Sequence, residues 1–350
     1  MAVRLECGHP ATPGSPVSQR WHLPAALAFV SMATLVPIGS APPRFDSRLD
    51  LADALVNIAL FFPLGLILER SGWRRSRVLL LALTLSVAIE LLQGFLIAGR
   101  RGSALDVACN LAGALTGFSW RWTPSAMLAL PLLPWIASGA LLRPAAPKTP
   151  TWWGQWAHAF EGTTPFEGRV LSLTLLGHPV PDGPIDSTAR LTGRAESDGL
   201  SLQVDLVAGK PTEALTHLAG VSDGEGHVII ALEQSGSDLI LTWWSRGASL
   251  GLRPPRARFP ALLAVDAGER VRLAAEIRPG SASVAAEAPE LHVRRTLRFT
   301  PMSGWRNLVA FPSSRAAWQR LVTVLWTGLG AGYAAIVVFL TLRRRKLPLS

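Results

Sequence analysis

The feature that most restricts the fold of this chain is a series of apolar runs, each close to the length of a membrane-spanning helix. A helix rises about 1.5 Å per residue, so about 20 apolar residues cross the ~30 Å hydrocarbon core of a bilayer. The runs with this property are residues 22–40, 51–68, 78–97, 104–120, 125–142 and 321–342. The sequence therefore predicts a multi-pass α-helical membrane bundle of about six spans.

Composition agrees with a membrane protein and disfavours nucleic-acid binding. Hydrophobic residues make up 49% of the 350 residues, and the formal net charge is +10. The basic residues are mostly arginines beside the apolar runs, whereas a nucleic-acid site gathers them on one soluble face. The preference for arginine over lysine is typical of a GC-rich bacterial genome. We therefore expect membrane lipid as a partner and no nucleic acid.

The positions of the arginines predict how the chain crosses the membrane. Basic clusters occur at 70–77, between the second and third runs, and at 343–346, after the last run. By the positive-inside rule both clusters lie in the cytoplasm, together with the amino-terminal tail (1–20) and the basic tail (344–350). Residues 143–318 are then outside the bacterial cytoplasmic membrane. Arg100 and Arg101 would also lie outside, against the rule. A cleaved signal peptide ending near residues 39–41 is an alternative for the first run.

The long polar insert predicts a β-domain. It follows five spans (21–142) and a Pro-rich linker (143–151), and it precedes the final helix (320–343). Apolar and polar residues alternate in three segments, as in half-buried strands: 200–206, 239–243 and 271–277. Turn signals separate such segments at 182–183, 222–224, 235–238 and 279–281. The region 152–312, with no helical period, is therefore predicted to be one extracytoplasmic antiparallel β-sandwich.

Polar side chains recur at helical spacing inside the apolar runs. Residues four and seven positions apart share one face of a helix. The residues on such faces, with one arginine in a loop beside them, are Asp53, Asn57, Ser86, Glu90, Gln93, Arg101, Asp106 and Asn110. A charge at the centre of a membrane helix costs roughly 2.5–3.5 kcal/mol on insertion scales, so each such group needs a partner or a function. Antiparallel packing of three spans would gather these groups into one layer in the outer half of the bilayer.

Glu90 and Asp106 are the candidate catalytic groups of this layer, because two carboxylates are the minimum for acid and base catalysis. Arg101 is the expected counter-ion for one of them. A structural interpretation remains open, in which amides and Ser86 only join helices by hydrogen bonds and Asp53 or Asp106 caps a helix. The pattern indicates candidate catalytic residues but does not indicate which reaction they would catalyse.

Small and helix-bending residues predict how these spans pack. Gly113 and Gly117 are spaced so that both lie on one helix face, where they allow another backbone to approach closely. Pro63 and Gly65 lie within the second run, where proline removes a helix hydrogen bond and permits a bend. These four positions are the predicted packing residues of the bundle.

The polar and glycine positions together resemble the VanZ family of bacterial membrane proteins over about residues 22–142. The stretches that carry the resemblance are NIALFFPLG (57–65), SVAIELLQ (86–93) and RGSALDVACNLAGALTG (101–117). The resemblance implies a cell-envelope protein, of a family first known for low-level resistance to the glycopeptide teicoplanin and with no established reaction. It marks as motif positions Asn57, Glu90, Gln93, Asp106 and Asn110.

The insert resembles a laminin-G or concanavalin-A-like sandwich at 218–224, 227–234 and 238–243. Such domains commonly bind glycans or proteins, sometimes through calcium. The sequence shows no compact acidic cluster, and we interpret Asp223, Glu225 and Asp238 as turn residues. We therefore expect no metal and no other cofactor.

Tryptophans are the candidate glycan contacts, because their rings can stack on sugars. They occur as Trp152, Trp153 and Trp156 after the linker, and as Trp243 and Trp244 at the end of a predicted strand. The alternatives are a membrane-interface belt for the first group and a core position for Trp243.

Two functions follow from these patterns. The first is a non-enzymatic envelope protein whose sandwich binds an envelope glycan, polysaccharide or protein, because the histidines of the sandwich are scattered and form no catalytic arrangement. The second is a membrane-embedded enzyme that acts on a lipid-linked sugar or phosphate through Glu90 and Asp106. A transporter is disfavoured, since no inverted repeat is visible.

Overall fold

The computed structural model describes residues 43–45, 51–97, 100–119, 132–147, 149–158, 163–186, 188–309 and 316–345, and six separate positions between 23 and 34. The amino-terminal tail, the signal-cleavage alternative, most of the first apolar run and the first part of the fifth lie outside the described residues. The chain forms two compact units. We name them the helical unit (1–49 and 53–121) and the sandwich unit (50–52 and 122–350).

Three helices make up most of the described helical unit: α1 (Leu51–Arg70), α2 (Arg75–Phe95) and α3 (Ala104–Ser119). They coincide with three of the predicted apolar runs. Among the described residues, α1 and α2 are the helices long and apolar enough to cross a membrane, judged by length and composition. The predicted helices are therefore confirmed here, whereas the count of six spans stays a prediction.

Helix α2 buries three polar side chains and exposes large apolar ones. Ser86, Glu90 and Gln93 are all buried, at 0%, 5% and 6% exposure. On the opposite side Leu80 and Phe95 are 65% and 66% exposed. A helix in water has the reverse arrangement, because exposing large apolar side chains to water is unfavourable and burying a carboxylate is costly. The outer face of α2 therefore presents large apolar side chains to its surroundings.

A small parallel sheet holds the loop between α2 and α3. Its strands are β1 (Arg44–Phe45) and β2 (Arg101–Gly102). The Phe45 ring meets Phe95 edge to face, with ring centroids 4.9 Å apart. It also lies against Gly94 and Gly102, where an added Cβ would overlap it. The loop is therefore positioned by an aromatic contact that the sequence patterns did not predict.

The sandwich unit contains twelve described strands in two sheets of six. They are β3 (Trp152–Trp156), β4 (Arg169–Leu175), β5 (His178–Pro179), β6 (Gly183–Ile185), β7 (Leu200–Val207), β8 (Thr216–Asp223), β9 (Val228–Ser235), β10 (Asp238–Trp243), β11 (Arg256–Phe259), β12 (Arg270–Arg278), β13 (Ser281–Ala288) and β14 (Leu291–Arg298). The first sheet has the order β11-β10-β9-β8-β3-β6, the second β14-β13-β12-β7-β4-β5, and every pairing is antiparallel. The predicted antiparallel sandwich is confirmed.

The two sheets share one hydrophobic core. Side chains of β7 and β12 alternate between buried and more exposed, as predicted, but β10 is buried on both faces from Leu239 onward. The prediction of a half-buried strand was wrong there, because Ile240 and Thr242, on the face away from the shared core, are also buried. The Thr242 hydroxyl, for example, donates to the buried Glu233 carboxylate at 3.2 Å.

One helix of the sandwich unit was missed by the sequence patterns. Helix α5 (Thr188–Asp198) precedes β7, and it buries Thr188, Leu191 and Ala195 on one face. Only two of these three side chains are apolar, so the helical period of this short segment is weak in the sequence. Packing against the sandwich core supplies the stabilisation that the local pattern lacks.

The helices that flank the sandwich contact each other. They are α4 (Leu132–Leu141) before it and α7 (Ala316–Arg345) after it. The short helix α6 (Arg246–Ser249) lies between β10 and β11, and the 3₁₀ helix η1 (Pro301–Asn307) lies between β14 and α7. The Trp135 indole donates to the Trp326 carbonyl at 3.2 Å, and the Trp326 indole donates to the Pro301 carbonyl at 2.6 Å. The segments that enter and leave the sandwich, α4 and α7, therefore lie side by side.

Candidate functional site

Glu90 is the buried carboxylate of the helical unit. Its Oε2 atom accepts a hydrogen bond of 2.9 Å from the backbone N–H of Ser103. The Ser103 hydroxyl in turn accepts one from the Leu105 N–H at 3.2 Å, at the start of α3. Glu90 thus satisfies a backbone donor beside a helix amino terminus, where a negative charge is also favoured. The sequence reasoning missed Ser103, although its three-residue spacing from Asp106 is a capping-box signal.

The amides of the predicted polar layer join separate segments of the helical unit. Asn110 donates from Nδ2 to the Ser86 hydroxyl at 2.9 Å, which links α3 to α2. Gln93 donates from Nε2 to the carbonyl of Thr34 at 2.8 Å. The Asn110 Oδ1 atom is buried and has no hydrogen-bond partner within the part of the chain that the structure describes. Asn57 lies half-buried on α1.

The three predicted carboxylates converge. Asp53 on α1 and Asp106 on α3 both lie within electrostatic range of Glu90, as does Arg100 in the loop before β2. Asp53 and Asp106 are half-buried, whereas Arg101 is exposed. Arg101 was predicted as the counter-ion of Glu90 or Asp106, and that pairing stays a prediction. The structure shows that its neighbour Arg100 interacts with Glu90. Carboxylates from three helices near one arginine form an environment in which a proton can be held or passed on.

Glycines bring α1 and α3 together closely enough to form this layer. An added Cβ at Gly113 would overlap the carbonyl oxygen of Ile58, and one at Gly117 would overlap that of Phe62. On the facing helix, a Cβ at Gly65 would overlap the Ala114 carbonyl. Pro63 lies inside α1, which continues past it to Arg70. Backbone contact along this seam fixes how α1 presents Asp53 and Asn57.

The helices and the glycine seam fall within one segment of the sequence. Residues 15–123 match the VanZ/LLP1 family model. The match covers less than half of the chain and does not include the sandwich. No curated protein and no solved structure matched the chain. VanZ-like proteins are generally associated with membranes, which agrees with the two helices that are long and apolar enough to cross one.

A second candidate site is an open cleft of about 490 Å³ where β3 meets β6 and the β8–β9 turn. Trp153 lines it and is 42% exposed. His158 and Asp182 also line the cleft, and His158 Nε2 lies 2.9 Å from Asp182 Oδ2. Gln155 donates to the Ser222 hydroxyl at 2.8 Å, and its buried Oε1 has no partner among the described residues. We name this site the Trp153 cleft. An exposed indole beside hydrogen-bonding groups suits a sugar ring, which is apolar on its faces and polar at its edge.

The β8–β9 turn beside the cleft is built around Asp223. The buried Asp223 carboxylate accepts from the backbone N–H of Glu225 at 2.9 Å and of His227 at 2.8 Å, and its other oxygen lies 3.0 Å from His227 Nδ1. The interpretation of Asp223 as a turn residue is confirmed. The expectation of no compact acidic cluster was wrong, because ligand atoms of these three residues lie within 4.8 Å of one another. Proximity within a tight turn creates a cluster that sequence spacing alone did not show.

The tryptophans divide between core and surface. Trp152 and Trp243 are fully buried, and Trp243 stacks on Phe299 with ring centroids 5.6 Å apart. A membrane-interface belt is therefore wrong for Trp152, whereas the core position predicted for Trp243 is confirmed. Because successive residues of a strand point to opposite faces, β3 buries Trp152 and exposes Trp153.

Proposed function

We propose that this chain is a cell-envelope membrane protein whose sandwich binds a carbohydrate of the envelope at the Trp153 cleft. The VanZ/LLP1 region anchors the protein in the membrane and handles an envelope precursor. The family match supports the association with the envelope. The observation that carries the binding role is the exposed Trp153 indole in the same cleft as His158 and Asp182.

The chemistry of the cleft favours a glycan over a protein partner. The cleft offers one aromatic surface and several polar atoms, whereas protein interfaces are built around contiguous, well-packed apolar cores. Stacking on an indole contributes dispersion energy, and the exposed Asp182 carboxylate can accept hydrogen bonds from sugar hydroxyls. The resemblance of the sandwich to laminin-G or concanavalin-A-like domains supports the same class of ligand.

The proposal places both termini in the cytoplasm and the sandwich outside. The contact between α4 and α7 supports this topology, because two helices that cross one membrane side by side return the chain to the side from which it came. Single-cysteine labelling of intact cells at Glu196, an exposed position on α5, tests it. Labelling by a membrane-impermeant reagent is expected, and labelling only after lysis would place the sandwich inside.

Glycan binding is tested with the full-length protein in nanodiscs on an array of bacterial envelope polysaccharides. We expect the wild type to bind at least one polymer and Trp153→Ala to bind about tenfold or more weakly, since an aromatic stacking contact contributes roughly 1.4 kcal/mol or more. Trp73→Ala is the matched control, because Trp73 is also an exposed tryptophan (36%) but lies outside the sandwich. Equal binding by both variants contradicts the role of the Trp153 cleft.

The convergence of Asp53, Glu90 and Asp106 supports a second candidate function. We propose as the alternative a membrane-embedded enzyme that acts on a lipid-linked sugar or phosphate, with Glu90 and Asp106 as acid and base. Glu90→Gln and Asp106→Asn keep the size of each side chain and remove its titration. Under this alternative both variants insert normally and lose turnover of lipid-linked intermediates in membrane preparations. Wild-type turnover by both variants rejects it.

A further inference from the structure

Two neighbouring cavities lie where α7 begins, with volumes of about 410 and 380 Å³. Arg306 and Gln319 line both of them. The other arginines around the cavities are Arg253 and Arg256 in the first and Arg258 and Arg320 in the second. Within the described part of the chain, no aspartate or glutamate lines either cavity. Five arginines line the two cavities, and such a concentration of basic groups attracts an anion.

Arg306 lies between the two cavities and is incompletely paired. Its Nη1 donates to the Arg256 carbonyl at 2.8 Å, and its guanidinium lies 4.5 Å from the centre of the Trp305 ring. Its Nε is buried without a hydrogen-bond partner, and no described carboxylate lies within 4.0 Å of the guanidinium. Burial lowers the pKa of Arg306 to about 10, so the group is still charged at neutral pH. A buried charged donor without an acceptor is costly unless a ligand supplies one.

Two of the surrounding arginines already have acidic partners behind the cavities. Arg258 pairs with Asp238, and an Arg256 nitrogen lies 3.7 Å from Glu233 Oε1. The second oxygen of Glu233 accepts from the Thr242 hydroxyl at 3.2 Å. These carboxylates hold Arg256 and Arg258 in place, whereas Arg306, at the shared wall, has no carboxylate partner among the described residues.

The surface next to the cavities is apolar. Leu321, Val324 and Leu325, directly after Arg320 on α7, are 46%, 67% and 52% exposed. The apolar run continues along α7 to residue 342. Arginine and glutamine at the start of such a helix, followed by exposed leucine and valine, are typical of the level at which a helix meets lipid head groups.

We propose that the two arginine-lined cavities form a site for the phosphate of an anionic lipid head group, held chiefly by Arg306 with Arg256. Guanidinium groups bind phosphate oxygens in a bidentate manner, and a phosphodiester oxygen supplies the acceptor that Arg306 Nε lacks. The apolar surface of α7 accommodates the acyl chains. This site uses different side chains from the Trp153 cleft and does not depend on glycan binding.

The test measures binding to the full-length protein in a non-ionic detergent. The probes are dioctanoyl phosphatidylglycerol, dioctanoyl phosphatidylcholine and inorganic phosphate, titrated separately. The variants are Arg306→Gln, Arg256→Gln and the control Arg190→Gln, which changes an exposed arginine on α5. We expect phosphatidylglycerol to bind most tightly, and Arg306→Gln to weaken it about tenfold or more while Arg190→Gln does not.

Three results overturn the proposal. If Arg306→Gln binds phosphatidylglycerol as tightly as Arg190→Gln, the cavities do not hold its phosphate. If inorganic phosphate binds as tightly as phosphatidylglycerol, the occupant is a soluble anion. If phosphatidylcholine binds equally, the arginines do not select an anionic head group. The melting temperature of each variant without ligand shows that it is folded, and Arg306→Lys, which keeps the charge but loses the bidentate donors, is expected to bind with intermediate affinity.

Discussion

The Ser103 backbone N–H and the Glu90 carboxylate are joined by a hydrogen bond of 2.9 Å between the start of α3 and the buried face of α2. This contact explains how a carboxylate is tolerated inside the helical unit. It meets a backbone donor that the helix itself leaves unsatisfied. Glu90, which the sequence indicates as a candidate catalytic group, therefore also has a structural role.

The structural task of Glu90 depends on an acceptor and does not require a charge. We expect Glu90→Gln to change the free energy of unfolding only slightly, because the amide oxygen still accepts from Ser103. Glu90→Ala is expected to lower it by about 1–3 kcal/mol, since a buried donor is left unsatisfied. Unfolding by denaturing detergent in mixed micelles measures both variants. Equal losses for Gln and Ala would show that the charge itself is required.

The Asn110–Ser86 hydrogen bond is expected to contribute modestly to the free energy of unfolding. Double-mutant cycles for polar pairs between membrane helices average about 0.6 kcal/mol. We predict a coupling energy near this value for Asn110→Ala and Ser86→Ala, from the free energies of unfolding of the two single variants and the double variant. A coupling indistinguishable from zero would mean that the 2.9 Å contact does not stabilise the fold.

The glycine seam predicts a strong dependence on side-chain size. Gly113→Ala places a Cβ against the Ile58 carbonyl, so α1 and α3 must separate. We expect a loss of stability of about 1–3 kcal/mol, as for an overpacked core. Gly332→Ala on α7 is the control: its Cβ would meet nothing within 4 Å, and alanine favours a helix by up to about 1 kcal/mol. Thermal unfolding measures the melting temperature of both variants. An equal decrease for Gly113→Ala and Gly332→Ala contradicts a close contact at Gly113.

The two adjacent tryptophans on β3 are expected to differ in how much they contribute to the free energy of unfolding. Trp152 is fully buried, so Trp152→Ala should lower the free energy of unfolding by about 3–5 kcal/mol. Trp153 is 42% exposed, and Trp153→Ala should change it by less than about 1 kcal/mol. Chemical denaturation, monitored by circular dichroism, measures the free energy of unfolding of both variants. A large loss for Trp153→Ala would assign its side chain to packing and weaken its role in binding.

His217 predicts a pH dependence for the sandwich. Burial lowers the pKa of His217 from 6.5 to about 4, so the folded state holds the neutral imidazole while the unfolded chain binds a proton near pH 6.5. The contribution to stability is complete above pH 6.5 and is lost as the pH falls towards 4, by an amount on the order of 3 kcal/mol. His217→Gln should flatten this part of the stability profile, measured as free energy of unfolding between pH 7.5 and 4.5. An unchanged slope contradicts burial of a neutral His217.

The sequence predicted the secondary structure of both regions well where the apolar period was strong. The helices at 51–70 and 75–95 and the strands at 200–207 and 270–278 follow the predicted segments closely. Helix α5 was missed because its buried face includes a threonine and is short. The position of Glu90 was found because a carboxylate within an apolar run is rare, but its partner Ser103 is polar, local and common, and so gave no comparable signal.

The sequence by itself determined which segments are helices or strands and which polar residues lie among apolar ones, because periodicity and composition act locally. Only the tertiary structure decided which of those residues meet. The convergence of Asp53, Glu90 and Asp106, the exposure of Trp153 beside a buried Trp152, and the gathering of arginines around Arg306 all depend on contacts between segments distant in the chain. Such contacts arise from packing and backbone approach in three dimensions, which the spacing of residues in one dimension does not record.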